Sequence, residues 1–288
     1  MKFLLCIFSF VLMVFAKCQP MLNSNININI NIADFSQDKI SYSDGKNLYL
    51  MDKNYKITST IEAKSDKINI IKFHNSNLIA GLDSGYAIQI NPKGDKQILL
   101  DPVKTKIIDG ITSINIIKDK IIFTLSTKYI VIYDTINSIY KKSNLNLNSK
   151  ITNTHIINNI LYITTFNRNL YELNLDNFKL NKISQMPNIP TAISSIDDEI
   201  IIGLIDGKII YKNQIYQISN NQISKIKIYK NTIYISDWSS NLYIYDLNLN
   251  LKNSIKVGND AILDMFIDKN SQIILWNSAI FSCNFGIE

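Results

Sequence analysis

From residue 24 onward, apolar and polar residues alternate with period two along most of the chain. Asn25-Ile26-Asn27-Ile28-Asn29-Ile30 alternates without exception, and Asn241-Leu242-Tyr243-Ile244-Tyr245-Asp246 does so with bulkier side chains. A period of two places every apolar side chain on one face of an extended strand, and β-branched and aromatic residues suit that pleated surface. The runs break at Asp, Asn, Gly and Lys-Asn, the residues that tolerate hairpin geometry. Beyond residue 16 no segment repeats its apolar positions at helical spacing. The pattern predicts a nearly all-β protein.

The strands recur as one phrase: an apolar strand, a tight turn, and a second apolar strand closing on Asp or Asn. Ile200-Ile201-Ile202-Gly203, Asp206-Gly207 and Ile209-Ile210-Tyr211 form one copy. The closing residues are Asp52, Asn91, Asp134, Asn174, Asn213, Asp246 and Asn284, at intervals of 39, 43, 40, 39, 33 and 38 residues. Such spacing belongs to the four-stranded blades of a β-propeller, and seven copies predict seven blades. The last unit ends after three strands, at 261–268, 272–277 and 279–285, while a spare strand stands at 25–32. Pairing that N-terminal strand onto the last blade would close the ring and remove its open edges. The expected organisation is a leader at 1–16, a short linker at 17–24 and one propeller domain over 25–288.

The leader is read from Met1-Lys2, an apolar run over residues 3–16 and the small-residue site Val14-Phe15-Ala16, the three parts of a secretory signal peptide. Cleavage is expected after Ala16, which makes the mature chain exported and periplasmic. An uncleaved anchor and a lipid on Cys18 are the alternatives, although Lys17 stands where lipidation wants a small residue. Loss of Cys6 with the leader would leave Cys18 and Cys283. These could pair, since ring closure brings the chain ends together, but no spacing argues for it and a buried free Cys283 is expected.

Composition removes several functions. The net charge of +6 comes from scattered lysines with Arg168 the one arginine, which is unlike a phosphate-reading surface. The third strands end in Tyr133-Asp134 and Tyr245-Asp246, with Met51-Asp52 close behind, and Asp44-Gly45, Asp83-Ser84 and Asp206-Gly207 precede them. These endings and turns resemble those of WD40 blades, although the Gly-His dipeptide of that family is missing, as are the docking tryptophans of quinoprotein-like dehydrogenase propellers. A signal peptide on a cysteine-poor chain of seven degenerate units also resembles the accessory propeller encoded with bacterial periplasmic nitrate reductase. That resemblance implies a maturation or partner-docking role.

Catalytic chemistry is hard to assemble. The two histidines, His74 in a turn of the second unit and His155 in a first strand of the fourth, give no triad or zinc spacing. A channel calcium site would need acids on several first strands. Asp34 and Asp264 qualify, but Asn69, Asn115, Ser194 and Lys227 stand at neighbouring positions in other units. With nine glycines, a phosphate cradle is excluded. What remains is surface: the turns between second and third strands carry Lys128, Arg168, Trp238 and Trp276, and exposed Trp and Arg on one face compose a binding hot spot. The sequence therefore points to a monomeric, non-catalytic, protein-binding scaffold without cofactor, nucleic acid or small-molecule substrate. Its expected partner is another periplasmic protein, such as a respiratory reductase subunit. A cell-envelope or outer-membrane assembly scaffold and a calcium-dependent hydrolase or lactonase remain the alternatives.

Overall fold

A computed structural model describes residues 17–21, 30–36, 39–52, 54, 56–62, 66–268, 272–277 and 279–284. Seven antiparallel sheets of four strands follow one another along the chain, each a simple meander except the last. Blade one runs through Ile32–Ser36, Lys39–Ser43, Asn47–Met51 and Ile57–Glu62, and blade two through Ile68–His74, Asn77–Leu82, Ala87–Ile90 and Lys96–Leu100. Blade three comprises Ile111–Ile117, Lys120–Leu125, Tyr129–Asp134 and Ile139–Asn144; blade four comprises Ile151–Ile157, Ile160–Thr165, Asn169–Asn174 and Leu180–Gln185. Blade five is Pro190–Ile196, Glu199–Leu204, Lys208–Tyr211 and Gln214–Gln217, and blade six is Ile223–Tyr229, Thr232–Asp237, Asn241–Asp246 and Leu251–Lys256. Blade seven joins Asp264–Ile267, Ile273–Trp276 and Ile280–Asn284 to the N-terminal strand Lys17–Pro20. The chain is a seven-bladed β-propeller, and among the described residues one short helix, Pro102–Thr105, lies between blades two and three.

The repeat has a physical basis at each position. In blades one to four and in blade six the Asp or Asn closing the third strand caps the turn that follows it, whereas in blade five the strand ends at Tyr211 and Asn213, expected as its closing residue, lies inside the hairpin turn at positive φ. Asp52 accepts from the backbone N–H of Asn54 and Lys56, Asn91 from Lys93 and Asp95, and Asp246 from Asn248 and Asn250. Hairpins between first and second strands turn through Asn75, Lys118, Asn158, Asp197 and Lys230, all at positive φ, as two-residue turns require. In blades two to six the first strand carries one extra residue near its start, a β-bulge at the same place each time. That residue is a hydroxyl in four blades, and it bonds back to the second strand: Thr112 to Thr124 O at 3.1 Å, Thr152 to the Thr164 hydroxyl at 2.9 Å, Thr191 to Gly203 O at 3.3 Å and Ser224 to the Ser236 hydroxyl at 2.9 Å.

The core is divided among the seams between blades. Ile122, Ile130 and Ile132 of blade three meet Leu161, Ile163 and Leu173 of blade four, and Tyr234, Leu242 and Ile244 of blade six meet Met265, Ile273 and Leu275 of blade seven. Each buried side chain of this size contributes about 1.5–3 kcal/mol. Space at a seam is tight where the second strand carries glycine: a Cβ on Gly203 would lie 2.5 Å from Ile223 Cγ2, and one on Gly81 2.7 Å from Ile111 Cγ2.

Closure differs in detail from the sequence expectation. The strand that completes blade seven is Lys17–Pro20, within the segment read as a linker, and not the 25–32 run. Ile32 begins the first strand of blade one, where Ile32, Ala33 and Phe35 are buried, so that run could not serve both blades; residues 25–29 lie outside the described residues. Cys18 stands directly opposite Cys283, and the two form a disulfide, which corrects the expectation of a free buried Cys283. The seam between blades seven and one is completed by Phe35 stacked on Phe266, with ring centroids 5.9 Å apart. The 1–16 leader also lies outside the described residues, and among those described no helix is long and apolar enough to cross a membrane.

Candidate functional site

Two surfaces of a propeller can gather side chains from several blades: the central channel and the turn faces. First strands from all seven blades line the channel, a cavity of about 830 Å³. Each of its two carboxylates is paired with lysine. Lys72 Nζ donates to Asp34 at 3.0 Å, and Lys225 Nζ donates to Asp264 at 2.9 Å with Lys227 Nζ 3.8 Å from the same carboxylate. Burial opposes ionisation of Asp264, yet Lys225 and Lys227 outweigh it and bring the carboxyl down to about 2. His155 Nε2 lies 3.0 Å from Ser195 Oγ; burial, reinforced by Lys227 and Lys225, pushes the imidazole down to about 4. His74 is the last residue of a first strand at the channel wall, and not a turn residue. Asn69, offered as a channel position, instead donates to Asp83 at 2.8 Å. Among the described residues no three His, Cys, Asp or Glu side chains converge as a ligand set. Both channel carboxylates are held by ammonium groups, a donor set poorly matched to calcium.

The turns between second and third strands are built to one plan in blades two to six. The residue after the second strand donates its N–H to the carbonyl just before the first strand: Asp83 to Lys67, Ser126 to Gly110, Phe166 to Lys150, Ile205 to Ile189 and Trp238 to Gln222. These bonds bring turns and inter-blade linkers to one end of the ring. The equivalence exposes an asymmetry. Blades two and three put polar residues at this position, and the residues that follow the second strands of blades one and seven are Asp44 and Asn277. Blades four, five and six instead put Phe166, Ile205 and Trp238 there, exposed by 60 %, 38 % and 53 %. Three large apolar side chains on consecutive blades form an arc on one face, where solvent contact gives them no folding benefit.

The third residue of the same turn lies at positive φ: Gly85, Lys128, Arg168, Gly207 and Ser240 in blades two to six. Lys128 and Arg168 thus occupy positions where glycine is the unstrained choice. Arg168 is exposed, and its guanidinium donates to Pro187 O at 3.1 Å, across the linker between blades four and five. Lys128, at φ 116°, is half-buried one blade away. Beneath Trp238 the loop is rigid: Asp237 accepts from Ser239 N and Asn241 N, each at 2.9 Å, and from Ser219 Oγ at 2.6 Å. Burial disfavours the Asp237 carboxylate, but its hydrogen bonds with Asn241 and Ser219 outweigh that and hold its pKa below the usual range.

Of the four residues singled out from the sequence, Lys128, Arg168 and Trp238 come to this face. Trp276 does not. It lies within a strand, only 6 % exposed, packs with Ile30, Ile32 and Ile280, and donates its indole N–H to Ile30 O at 3.3 Å. It therefore belongs to the seam that joins blade seven to blade one. Phe166 and Ile205 were missed. Aligning the units on the residue after the second strand, where Phe166, Ile205 and Trp238 share a column, is the signal that finds them.

No family model matches the chain, and no curated protein matches it by sequence. Solved structures do match. A chain of the Mitotic Checkpoint Complex superposes with a TM-score of 0.77 at 11 % identity, covering 93 % of this chain and 90 % of the other. The computationally designed Ika8 protein gives a TM-score of 0.68 at 12 % identity, covering 89 % and 96 %. Saccharomyces cerevisiae Sqt1 gives 0.66 at 13 % identity, covering 87 % and 82 %. Likeness at such identities concerns architecture, and the architecture is that of a seven-bladed β-propeller.

Proposed function

We propose that the protein is a non-catalytic, protein-binding propeller that engages its partner through the arc Phe166, Ile205 and Trp238, with Arg168 and Lys128 alongside. The observation that carries this is the column of large apolar residues on three consecutive blades. Aromatic and arginine side chains on a rigid scaffold are the usual anchors of an interface. The channel supports the reading from the other side, since its carboxylates are occupied by lysines instead of being presented to a substrate-bound cation.

We further propose export to the periplasm. A disulfide between Cys18 and Cys283 is suited to an oxidising compartment and rare in a reducing cytosol. Cleavage after Ala16 would leave Lys17, the first residue of the closing strand, as the new N-terminus. The same disulfide occupies the Cys18 sulfur that a lipid would need, which weighs against the tethered envelope scaffold. Assistance to a respiratory enzyme such as periplasmic nitrate reductase is the narrower proposal; it rests on sequence resemblance alone.

The test is affinity purification from envelope extract with tagged mature protein beside an Arg168→Ala/Trp238→Ala variant. A partner retained by the first and lost by the second supports the proposed face, and a reductase subunit supports the narrower role. Equal recovery by both would refute the face, and outer-membrane assembly proteins would refute the reductase role.

A further inference from the structure

Blade five is cut short on its outer side. Its third and fourth strands have four residues each, joined by the two-residue turn Lys212-Asn213, whereas in blades four and six these strands have six. Beside this narrow outer half lies a cleft of about 770 Å³ between blades four and five. Leu170, Ile200, Ile202 and Ile210 give it an apolar floor, and Ile183 and Ile215 stand exposed on opposite walls, by 46 % and 55 %. Each lies on the fourth strand of its blade, the outermost in its sheet, with one edge carrying no further strand.

The cleft is acidic in a chain of net charge +6. Glu172, Asp198 and Glu199 line it beside Lys182 and Lys212. Among the described residues none of the three carboxylates is ion-paired; Glu172 and Asp198 meet only the neutral amides of Asn181 and Asn158. Lys212 is drawn aside, with its ammonium 5.2 Å from the centre of the Tyr211 ring. At the cleft wall the Tyr162 hydroxyl is raised in pKa by burial and then by Glu172, Asp198 and Glu199, the mark of a locally negative field.

We propose that this cleft docks an extended segment of a partner protein in which an aliphatic side chain is flanked by Lys or Arg. The aliphatic group fills the apolar floor between Ile183 and Ile215. The flanking cation meets Glu172 and Glu199, and an extended backbone can pair with an exposed strand edge. The site is lateral and meets the turn face at Pro187, whose carbonyl accepts from Arg168; Trp238, on blade six, lies outside the cleft lining, so its substitution separates the two surfaces.

The test is selection from a random heptapeptide phage library on the whole mature protein, followed by binding of a fluorescein-labelled copy of the most enriched peptide. Enrichment of aliphatic residues beside Lys or Arg is expected. The peptide should bind Ile183→Ser/Ile215→Ser and Glu172→Gln/Glu199→Lys at least about tenfold more weakly, and Trp238→Ala unchanged. Both cleft variants alter exposed or half-buried side chains, and matched melting curves will show that each remains folded. No enrichment, an acidic or uncharged consensus, or undiminished binding to the two cleft variants would overturn the proposal.

Discussion

Lys128 and Arg168 stand at a turn position that blades two and five fill with Gly85 and Gly207. A side chain at φ 116° strains the backbone, and that strain points to a task for Lys128 outside folding. Lys128→Gly should therefore stabilise the protein by about 0.5–1 kcal/mol, read as a higher Tm, while weakening partner binding. A lower Tm would show that the lysine packs usefully. His155 offers a second check. Its folded pKa of about 4 lies below the ordinary 6.5, so its neutral form favours the native state. That contribution is complete above pH 6.5 and lost as pH falls towards 4, by at most about 3 kcal/mol. Denaturant titrations across this window should show the slope in the native protein and a shallower one in His155→Gln.

Elements were largely legible in the sequence because period-two alternation reports strands directly and the Asp or Asn near the third-strand end is a turn cap in five blades; in blade five the same signal, Asn213, is a turn residue instead. The bulged Thr112, Thr152, Thr191 and Ser224 were not legible as bulges. One extra residue leaves the alternation intact on either side and only shifts its phase. The closing strand was missed for a related reason: Lys17-Cys18-Gln19-Pro20 is too short and too polar to show a period, whereas the Asn-Ile run shows one perfectly. Packing between elements left clearer traces, as at Gly203, where the second strand of blade five needs room for Ile223 of blade six. Gly203→Ala should lower stability by about 1–3 kcal/mol through overpacking of this seam, measured by chemical denaturation. An unchanged midpoint would mean that the seam yields freely.

At the scale of the whole molecule, the ring is held shut by an antiparallel pairing, an aromatic stack, the buried Trp276 with its hydrogen bond to Ile30, and a disulfide spanning 265 residues of chain. Reduction, or Cys283→Ser, should cost about 2–5 kcal/mol and speed amide exchange first at Cys18, Gln19 and the strand Ile280–Asn284. Unaltered exchange there would show that strand pairing alone suffices. The number of blades could be counted from the repeat, but the proposed binding face could not be located from aromatics in the sequence alone. Trp276 and Trp238 look alike in sequence, and only burial separates a seam residue from a surface one.

The claim that the Phe166–Ile205–Trp238 arc is the binding face is tested most directly by site-specific photo-crosslinking in the native envelope. A photoreactive phenylalanine analogue would replace Phe166, Ile205 or Trp238 in turn, with Ile136 and Leu251, exposed away from this face, as controls. One common adduct is expected from the three arc positions and none from the controls. Adducts from Ile136 or Leu251 with none from the arc would contradict the claim.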